Sequence, residues 1–452
     1  MEPSSQSQSA HPSETSYGEV VGFLTDLIRL DTSNPTHPER PAAEYAAERL
    51  AEAGLEPQLF DSEPGRTSVV ARFEGSDPSA DALLVHGHLD VVPADPADWS
   101  VHPFGGEVKP GADGVPMVWG RGAVDMKNMD AMTLAVVRRM VREGRKPKRD
   151  LVIAFLADEE AGGDKGAKFL AAHHPKLFDG CTEAISEVGG YSYEINPDLR
   201  LYLIETAQKG LAWMRLKAKG QAGHGSMINN DNAVTELAAA VARIGTHPFP
   251  ITLTPTVRDF LEQVCDAMGV PFDPQDPQAA VDRLGPLARF IGATLRHTAN
   301  PTMLEAGYKT NVIPERASAV IDGRFLPGGD ADFLATIDEL AGPNVTRENI
   351  HFDRAVEAPF GAPIVDAMLD ALRAEDPGAR TVPYCLSAGT DNKTFTTLDA
   401  SGKGGMRGYG FVPLRLTPDL DFAAMFHGVD ERVPVPALDF GCRVLDRFLS
   451  SY

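Results

Sequence analysis

The run LVIAFLADEE at 151–160 constrains the fold of this chain more than any other segment. A strand that is apolar at every position must be buried on both faces, which is typical of a central strand in a sheet covered by helices. Three acidic residues follow the apolar part directly, and open α/β sheets bind their ligands at the carboxyl ends of their strands. The run therefore predicts an α/β fold with a polar site at one edge of its sheet.

The rest of the chain fits an α/β fold that carries an insertion. Helical and short β-rich patterns alternate up to about Gln208, which indicates helices layered on a sheet. Half-exposed strands and helices then follow in the ferredoxin-like order β-α-β-β-α-β, with a Pro-rich, helical interruption after the first helix. The predicted segments are a disordered tail (1–17), the first part of the α/β domain (18–207), an inserted α+β domain (208–355, with the helical insertion at 247–300) and the second part of the α/β domain (356–452).

Composition and charge exclude several classes of protein. The formal net charge of -22 repels phosphate backbones, so we expect no nucleic-acid partner. No apolar run reaches the ~20 residues that cross a bilayer, and the first residues lack the basic and apolar regions of a secretory signal. The four cysteines are scattered and form no CxxC pair, which is typical of reduced thiols. We therefore expect a cytoplasmic protein without a membrane partner.

The acidic end of the run, Asp158, Glu159 and Glu160, is a candidate metal site. Adjacent carboxylates repel one another unless a cation compensates their charge, and a divalent metal is the natural compensation. In such a site one glutamate binds the metal while its neighbour acts as general base on a water molecule. The same residues are also compatible with an ordinary acidic loop.

Other polar residues stand at strand ends or in turns. His88 and Asp90 are two residues apart in extended chain and share a face, so the aspartate could orient the imidazole. Asp125 lies in a loop that opens a helix, where a carboxylate could bridge two cations or simply cap the helix. Glu187 follows a strand, and a single valine separates it from two glycines. His427 lies in a polar turn before the last helix.

Taken together, five of these positions form one ligand set. Two imidazoles and three carboxylates suit zinc, with cobalt or manganese as substitutes. One bridging carboxylate with two further ligands for each ion leaves positions open for water and substrate. The predicted ligands are His88, Asp125, Glu160, Glu187 and His427.

A second group of candidates lies later in the chain. His224 occupies a Gly-rich turn, Asn311 a turn before a short apolar segment, and Arg324 a strand. Gly389 and Thr390 belong to a loop of small residues whose backbone N–H groups could cradle an anion. Taken singly, these residues are more typical of ordinary turns, a tight loop and a solvated arginine.

In their order along the chain, these motifs resemble the dinuclear zinc hydrolase family of carboxypeptidase G, aminoacylase, acetylornithine deacetylase, succinyl-diaminopimelate desuccinylase and carboxypeptidase S. The resemblance runs from about residue 18 to the C-terminus and is nearest to the carboxypeptidase S and N-acyl-amino-acid hydrolase branch. It implies a zinc-exopeptidase-like catalytic α/β domain with an inserted ferredoxin-like lid domain that usually dimerises. The motifs are HLDVVPAD, GRGAVDMKNMD, ADEEAGG, SEVGG, AGHGS, NVIP, DGRF and SAGTD, with departures at Val188 and Ala388.

The resemblance also implies a role for each candidate. His88 with Glu187 would bind one zinc ion and Glu160 with His427 the other, with Asp125 as the bridge, followed by a cis peptide bond. The remaining roles are Asp90 supporting His88, Glu159 as general base, His224 steadying the oxyanion, and Asn311, Arg324, Gly389 and Thr390 contacting the substrate.

The expected function is hydrolysis of the amide bond of dipeptides or N-acyl amino acids that carry a free carboxylate. Three alternatives stay open on the sequence. The first is an aminopeptidase-type dizinc enzyme, which would not need the lid motifs AGHGS and NVIP. The second is a catalytically silent binding or regulatory protein on the same fold, and the third is an acylase that runs in the direction of condensation.

Overall fold

The computed structural model describes residues 18–283, 291–397 and 405–452, so the predicted tail at 1–17 lies outside the described residues. The chain divides into two compact units. The first unit is taken from Met1–Ile204, Gly361–Thr381 and Thr394–Tyr452, and the second from Glu205–Phe360 and Val382–Lys393. The second unit thus includes 382–393, which the sequence analysis assigned to the second part of the α/β domain.

The helices and strands of the described residues are numbered here in chain order. The helices are α1 (Val20–Arg29), α2 (Arg40–Glu52), α3 (Lys127–Arg142), α4 (Ala167–His173), α5 (Ala233–Gly245), α6 (Pro255–Met268), α7 (Pro277–Asp282), α8 (Asp330–Ala341), α9 (Pro363–Glu375), α10 (Asn392–Thr397) and α11 (Val435–Ser451). The strands are β1 (Gln58–Glu63), β2 (Arg66–Phe73), β3 (Ala82–His88), β4 (Glu107–Pro110), β5 (Pro116–Trp119), β6 (Leu151–Leu156), β7 (Cys181–Ser186), β8 (Ser192–Asn196), β9 (Leu199–Gln208), β10 (Gly210–Lys219), β11 (Gly223–His224), β12 (Thr298–Ala306), β13 (Val312–Ile313), β14 (Arg316–Phe325), β15 (Val345–Asp353), β16 (Val356–Glu357), β17 (Ala379–Leu386), β18 (Arg407–Gly410) and β19 (Arg432–Pro434).

The first unit is built on a mixed sheet whose strands follow the order β1-β2-β6-β3-β7-β18-β9. Strand β3 runs parallel to both β6 and β7, and β18 runs parallel to β7. Every residue of β3 and β6 is buried, which confirms the prediction of a central strand at 151–156. Because β6, β3 and β7 are parallel neighbours, their carboxyl ends meet at one edge of the sheet.

Helix α3 packs on this sheet and is buried along most of its length. It contacts α1, α11 and strand β3. Helix α3 therefore lies between the sheet and the outer helices. The N-terminus of α3 is close to the end of β3. A small antiparallel sheet, β19-β5-β4, was not predicted from the sequence, because its strands are only three or four residues long.

The second unit contains an antiparallel sheet in the order β12-β14-β10-β15. Strands β10 and β14 alternate buried and more exposed residues, as expected for a sheet with only one face in a core. Helices α5 and α8 supply that core from one side of the sheet. The chain order β10-α5-β12-β14-α8-β15 is the predicted β-α-β-β-α-β order, and α6 and α7 lie in the interruption. Residues 284–290 of that interruption lie outside the described residues.

One segment with an alternating pattern, TMLEAGYKTNVIP, is not a single strand in the structure. Strand β12 ends at Ala306 and β13 begins at Val312. Gly307 has a φ of 70°, in the left-handed region that glycine adopts without strain, so the chain turns there. The next residue, Tyr308, has a large aromatic side chain that is typical of a strand, yet it is 83% exposed. The sequence pattern therefore does not reveal this turn.

A buried ion pair ties α9 to β9 within the first unit. The guanidinium of Arg200 donates to both carboxylate oxygens of Asp376, and the Tyr202 hydroxyl donates to Asp376 Oδ2 at 2.8 Å. Replacing Asp376 with Ala leaves the Arg200 charge buried without its partner. We expect the free energy of unfolding to fall by about 3–5 kcal/mol, as measured by urea denaturation. The exposed Asp370 of the same helix is the control, and an equal effect of Asp370→Ala would contradict this account.

Candidate metal centre

Three parallel strands deliver acidic and imidazole groups to one edge of the first-unit sheet. His88 is the last residue of β3, and Asp158, Glu159 and Glu160 follow β6 after a single alanine. Glu187 directly follows β7. Since these strands lie side by side, the sequence positions that looked scattered along the chain become neighbours in space.

The imidazole of His88 is buried and faces carboxylates with one of its nitrogens. Its Nε2 lies 3.2 Å from Asp125 Oδ1, 3.5 Å from Glu187 Oε2 and 4.0 Å from Glu159 Oε2. Its Nδ1 lies 2.8 Å from the backbone oxygen of Asp90, which only accepts hydrogen bonds. The ring therefore donates from Nδ1 and turns Nε2 toward the carboxylates, where Nε2 could bind a metal ion once the proton on it is displaced.

The carboxylate of Asp90 makes other contacts than the resemblance implies. Its Oδ1 lies 3.7 Å from His88 Nδ1, so support of the ring comes mainly from the backbone oxygen of Asp90. The two carboxylate oxygens accept hydrogen bonds from the backbone N–H groups of Glu159 and Glu160, each at 3.0 Å. Asp90 thus holds the loop that carries both glutamates.

Asp125 lies between the two histidines. Its Oδ1 faces His88 Nε2 at 3.2 Å and its Oδ2 faces His427 Nε2 at 3.3 Å. His427 Nε2 also lies 3.1 Å from Glu160 Oε2. One carboxylate with one oxygen toward each imidazole is the geometry of a bridging ligand. The Asp125–Met126 peptide bond is cis, as the resemblance implies.

The donor atoms fit divalent metal ions. Ligand atoms of His88, Glu159 and Glu187 lie within 4.8 Å of one another, as do those of His88, Asp125 and Glu160. Glu160 Oε1 is buried and has no hydrogen-bond partner among the described residues. Carboxylates gathered this closely in a buried place repel one another unless a cation compensates them, and mixed oxygen and imidazole donors suit zinc and its neighbours in the transition series.

The pKa values of the cluster reflect this crowding. Hydrogen bonds to Asp125 and Glu160 raise the pKa of His427 to about 10. Burial opposes a charge on His88, yet the carboxylates of Glu187 and Asp125 beside its ring raise its pKa well above its usual range. Burial, with the nearby charges of Asp125 and Glu160, raises the pKa of Glu187 to about 7 despite the opposing effect of His88. Without metal, the raised pKa values therefore favour the doubly protonated, positively charged form of both imidazoles at neutral pH.

We expect metal binding to release protons. A metal ion binds neutral imidazole and ionised carboxylate, so at pH 7 the ions must displace the protons of His88 and His427 and the partly occupied proton of Glu187, which amounts to about two to three protons per chain. Because protons compete for the same nitrogens, the apparent metal affinity falls as pH is lowered. Calorimetry in buffers of different ionisation enthalpy measures the release, and His427→Gln should release about one proton fewer. A release near zero in the unaltered protein would contradict this arrangement.

Strained backbone surrounds the cluster. Asp158, Val188 and His427 have φ values of 67°, 58° and 57°, in the left-handed region that L-residues rarely adopt. Each lies at, or next to, a residue of the cluster. Such strain persists where the surrounding structure fixes a functional geometry.

Glu431 is a residue of this site that the sequence analysis missed. Its buried carboxylate accepts backbone hydrogen bonds from Gly122 at 3.0 Å, Val124 at 2.6 Å and Asp125 at 2.8 Å, and it pairs with Arg121 at 2.9 Å. It therefore holds the loop that presents Asp125. In the sequence only its position four residues after His427 could have drawn attention to it.

Asn34 is a second residue that the sequence analysis missed. Its Nδ2 donates to Asp90 Oδ2 at 2.9 Å and to Asp158 Oδ1 at 3.1 Å. It therefore links the loop after β3 to the loop after β6, and nothing in the sequence around the cis Asn34–Pro35 bond indicates that contact.

The remaining predicted residues belong to the second unit. His224 lies in β11, and its Nδ1 is 2.8 Å from Ser226 Oγ. Asn311 lies beside it, since the Asn311 backbone oxygen accepts a hydrogen bond from Gly225 at 2.9 Å. Arg324 pairs with Asp322 at 2.7 Å.

The predicted anion-binding loop has one of its donors engaged. The backbone N–H of Thr390 donates to Gln208 Oε1 at 2.9 Å, and Gln208 Nε2 donates back to Thr390 Oγ1 at 2.8 Å. The neighbouring residue, Gly389, lies against Lys393, because a Cβ added to it would be 2.8 Å from Lys393 Nζ. Gln208 therefore contacts Thr390 in this loop, and Lys393 contacts Gly389.

Comparison with known proteins places this site in a family. The model of peptidase family M20/M25/M40 matches residues 84–451, which contain all the residues of the cluster. The chain belongs to peptidase family M20/M25/M40. It is a hydrolase of that family, and within the described residues none of its helices has the length and apolarity needed to cross a membrane.

Relatives of this M20-family chain include acyl-amino-acid enzymes. The N-fatty-acyl-amino acid synthase/hydrolase of Mus musculus is 28% identical over 94% of this chain and 86% of its own length. The aminoacylase-1 of Pongo abelii is 26% identical over 97% of this chain and 95% of its own length.

Solved structures share the fold. An M20 family metallo-carboxypeptidase from Sulfolobus solfataricus matches with a TM-score of 0.67 at 16% identity, over 96% of this chain and 98% of that one. A Bacillus subtilis protein described as a dinuclear metal-binding peptidase of the M20 family matches with a TM-score of 0.59 at 12% identity, over 96% and 97% of the two chains. These likenesses show that the mixed α/β fold is that of the M20 peptidases.

Proposed function

We propose that this M20-family chain hydrolyses the amide bond of N-acyl amino acids or dipeptides that carry a free carboxylate. The observation that carries the proposal is the position of Asp125, which turns one carboxylate oxygen to His88 and the other to His427. This geometry supports a pair of metal ions with Asp125 between them. Zinc is the proposed metal, with cobalt or manganese as substitutes.

The distances to the two histidines support the other proposed ligands. Glu187 lies with His88 on one side of Asp125, and Glu160 lies with His427 on the other. When bound, the two ions would supply Lewis-acid polarisation of the amide carbonyl and would lower the pKa of a water molecule. Asp90 and Glu431 are positioning residues, because they hold the loops that carry Glu160 and Asp125.

Glu159 is the proposed general base. Its carboxylate lies at the edge of the cluster, 4.0 Å from His88 Nε2, and 14% of its side chain is exposed. A carboxylate at the rim of the cluster is within reach of an attacking water, whereas the more deeply placed Glu160 and Glu187 face the histidines. In the proposed reaction Glu159 accepts the proton of the water and then delivers it to the leaving nitrogen.

Residues later in the chain are the proposed contacts to the substrate. The exposed imidazole of His224, beside Asn311, is the proposed donor to the oxyanion that forms at the carbonyl carbon. Arg324 and the loop of Gly389 and Thr390 are proposed to hold the free carboxylate. Lys393 next to Gly389 adds a positive charge to that loop.

A homodimer through the second unit is also proposed. Strand β12 is an edge strand of the sheet in this unit, and its residues from Asn300 to Ala306 are exposed. Met303 and Leu304 are 55% and 62% exposed there. An exposed apolar edge strand is a template for pairing with a second chain. Analytical ultracentrifugation should find a dimer, and Leu304→Lys should shift it toward monomer. A protein that is monomeric at all concentrations would contradict the dimer.

A substrate panel tests the proposed function. The metal-free protein and protein reconstituted with zinc, cobalt or manganese should be assayed on N-acyl amino acids, on dipeptides and on aminoacyl amides without a carboxylate. We expect turnover only with metal and only on the first two classes. Cleavage of the aminoacyl amides would favour an aminopeptidase-type enzyme, and binding without turnover would favour a silent binding protein. Equal turnover by the metal-free and metal-loaded forms would refute the proposal.

A further inference from the structure

Gln208 and Thr390 are joined by two hydrogen bonds within the second unit. The backbone N–H of Thr390 donates to Gln208 Oε1 at 2.9 Å, and Gln208 Nε2 donates to Thr390 Oγ1 at 2.8 Å. Gln208 is fully buried, and Thr390 is only 7% exposed. The pair therefore ties the end of strand β9 to the loop of Gly389 and Thr390, in a place that water hardly reaches.

The orientation of the Gln208 amide is fixed by its neighbours. A backbone N–H can only donate, so the amide atom that faces the N–H of Thr390 must be the oxygen. On its other side Gln208 Nε2 lies 3.3 Å from Glu205 Oε2, and a carboxylate oxygen accepts hydrogen bonds. The two hydrogens of Nε2 are therefore directed to Glu205 Oε2 and Thr390 Oγ1. The reversed amide would place an oxygen against Glu205 and an N–H against the N–H of Thr390.

This orientation decides what the Thr390 hydroxyl can do. A hydroxyl has two lone pairs and one proton to offer. Both lone pairs of Thr390 Oγ1 are engaged, because it accepts from Gln208 Nε2 at 2.8 Å and from the Asn392 backbone N–H at 3.2 Å. The proton must then point away from both donors, and among the residues that the structure describes no oxygen accepts it. Thr390 thus presents a hydrogen-bond donor and no acceptor.

The hydroxyl, rather than the backbone, is therefore the donor that Thr390 can offer to a ligand. Its backbone N–H is used by Gln208, so this N–H does not take part in a cradle of backbone donors. The loop also lies beside a positive charge, since a Cβ added to Gly389 would be 2.8 Å from Lys393 Nζ. A hydroxyl that only donates, beside an ammonium group, suits an anion that only accepts, and a carboxylate is such a group.

We propose that Gln208 is a positioning residue that sets the Thr390 hydroxyl as a donor to the free carboxylate of the substrate. Gln208 acts through Thr390, because it occupies the backbone N–H and one lone pair of that residue and leaves the hydroxyl proton for the ligand. The loop should then prefer a free acid to the matching carboxamide, because hydrogen bonds to a charged acceptor are stronger. This inference rests on the proposed function, since it names the groups that select the carboxylate in the same site.

Gln208→Glu tests the role of the amide, because it reverses one hydrogen bond at nearly constant shape. A glutamate accepts from the Thr390 N–H as glutamine does, but its second oxygen has no hydrogen for Thr390 Oγ1. If that oxygen takes up a proton, the carboxylate of Glu205 beside it accepts the proton. The Thr390 hydroxyl then donates to residue 208 instead of to the ligand. We expect the affinity for N-acetyl-leucine to fall about 10–100-fold and the affinity for N-acetyl-leucinamide to change far less.

Further variants separate the hydroxyl from a general loss of structure. Thr390→Val should cause the same loss of preference for the acid, and Thr390→Ser should retain the preference. Adding Gln208→Glu to Thr390→Val should cause no further loss, because the group through which Gln208 acts is gone. Thr256→Val is the control. It removes a similarly buried hydroxyl of the same unit, which lies 3.1 Å from Thr206 Oγ1, and it should leave the preference unchanged.

A second substitution of Gln208 covers the case in which Gln208→Glu does not fold. Gln208→Met removes both hydrogen bonds to Thr390 without reversing either. The Thr390 hydroxyl can then rotate, so the preference for the acid should fall, but by less than in Gln208→Glu. Urea denaturation identifies the variants that are folded. An unchanged preference in a folded Gln208→Met variant would overturn the role of Gln208.

Binding measurements separate this inference from the proposed function. The two ligands should be titrated by calorimetry into zinc-loaded Glu159→Gln protein that carries each of the variants, with turnover measured in the parent background. A preference that is lost in Gln208→Glu and Thr390→Val but not in Thr256→Val supports the inference even if no form hydrolyses an amide, in which case the proposed function alone fails. Turnover with an unchanged preference in both variants keeps the proposed function and overturns the inference. Equal or absent binding of the two ligands to the protein without these variants also overturns it.

Discussion

Glu159→Gln should lower kcat by about 10²–10⁴-fold while the protein retains its metal. The amide of glutamine keeps the size of the side chain but accepts no proton at neutral pH, so both the activation of water and the protonation of the leaving nitrogen are lost. The backbone of residue 159 stays fixed, because its N–H donates to Asp90 Oδ1 at 3.0 Å whichever side chain is present. Steady-state kinetics and metal analysis of the same preparation measure the two quantities together.

The adjacent Glu160 provides a matched control. Its carboxylate faces His427 Nε2 at 3.1 Å and is assigned to the metal rather than to the proton. Glu160→Gln should therefore lose metal affinity, and activity should return in part when the metal concentration is raised. Near-normal turnover by Glu159→Gln with metal bound would remove the assigned base, and equal metal loss in the two variants would show that their roles are not distinct.

Glu431→Gln should weaken metal binding by about 10–100-fold, although Glu431 is not among the proposed ligands. The carboxylate receives four donors, from Arg121, Gly122, Val124 and Asp125. A glutamine has one oxygen, so its NH₂ group would face some of these donors and the loop that presents Asp125 would lose its support. Isothermal titration with zinc, with urea denaturation alongside, measures the effect.

Glu183 is the control for the loss of a buried charge. It is as buried as Glu431 and pairs with Arg149 at 2.6 Å in the same unit, but the cluster does not include it. Glu183→Gln should lower the free energy of unfolding and leave the metal affinity unchanged. If both variants bind metal equally well, the carboxylate of Glu431 does not position Asp125.

The strand ends of the site were predictable from local sequence. The fully apolar pattern of β6 marks a central strand, and Glu159 and Glu160 follow it closely. His88 ends the buried strand β3, and Glu187 follows β7, whose last four residues are buried. Parallel strands bring such ends together, so their proximity follows from the fold class. Likewise, the period-two pattern of β10 and β14 was sufficient to predict the sheet of the second unit.

Contacts between distant parts of the chain were not predictable in this way. Glu431 reaches Asp125 across more than 300 residues, and a lone acid in a polar turn has no pattern that reveals such a partner. Two further contacts depend on the orientation of individual atoms. They are the hydrogen bond from His88 to the backbone oxygen of Asp90 and the hydrogen bond from the Thr390 backbone to Gln208. Sequence specifies residue types and spacing, whereas these contacts depend on tertiary packing.

The count of metal ions needed for activity tests the central claim most directly. Metal-free protein should be titrated with zinc while bound metal and hydrolysis of an N-acyl amino acid are followed in the same sample. The proposed centre has Asp125 as the bridge, with His88 and Glu187 binding one ion and Glu160 and His427 the other. It predicts two ions per chain and full activity only when both are bound. Full activity with one ion per chain, or with none, would contradict the bridged pair.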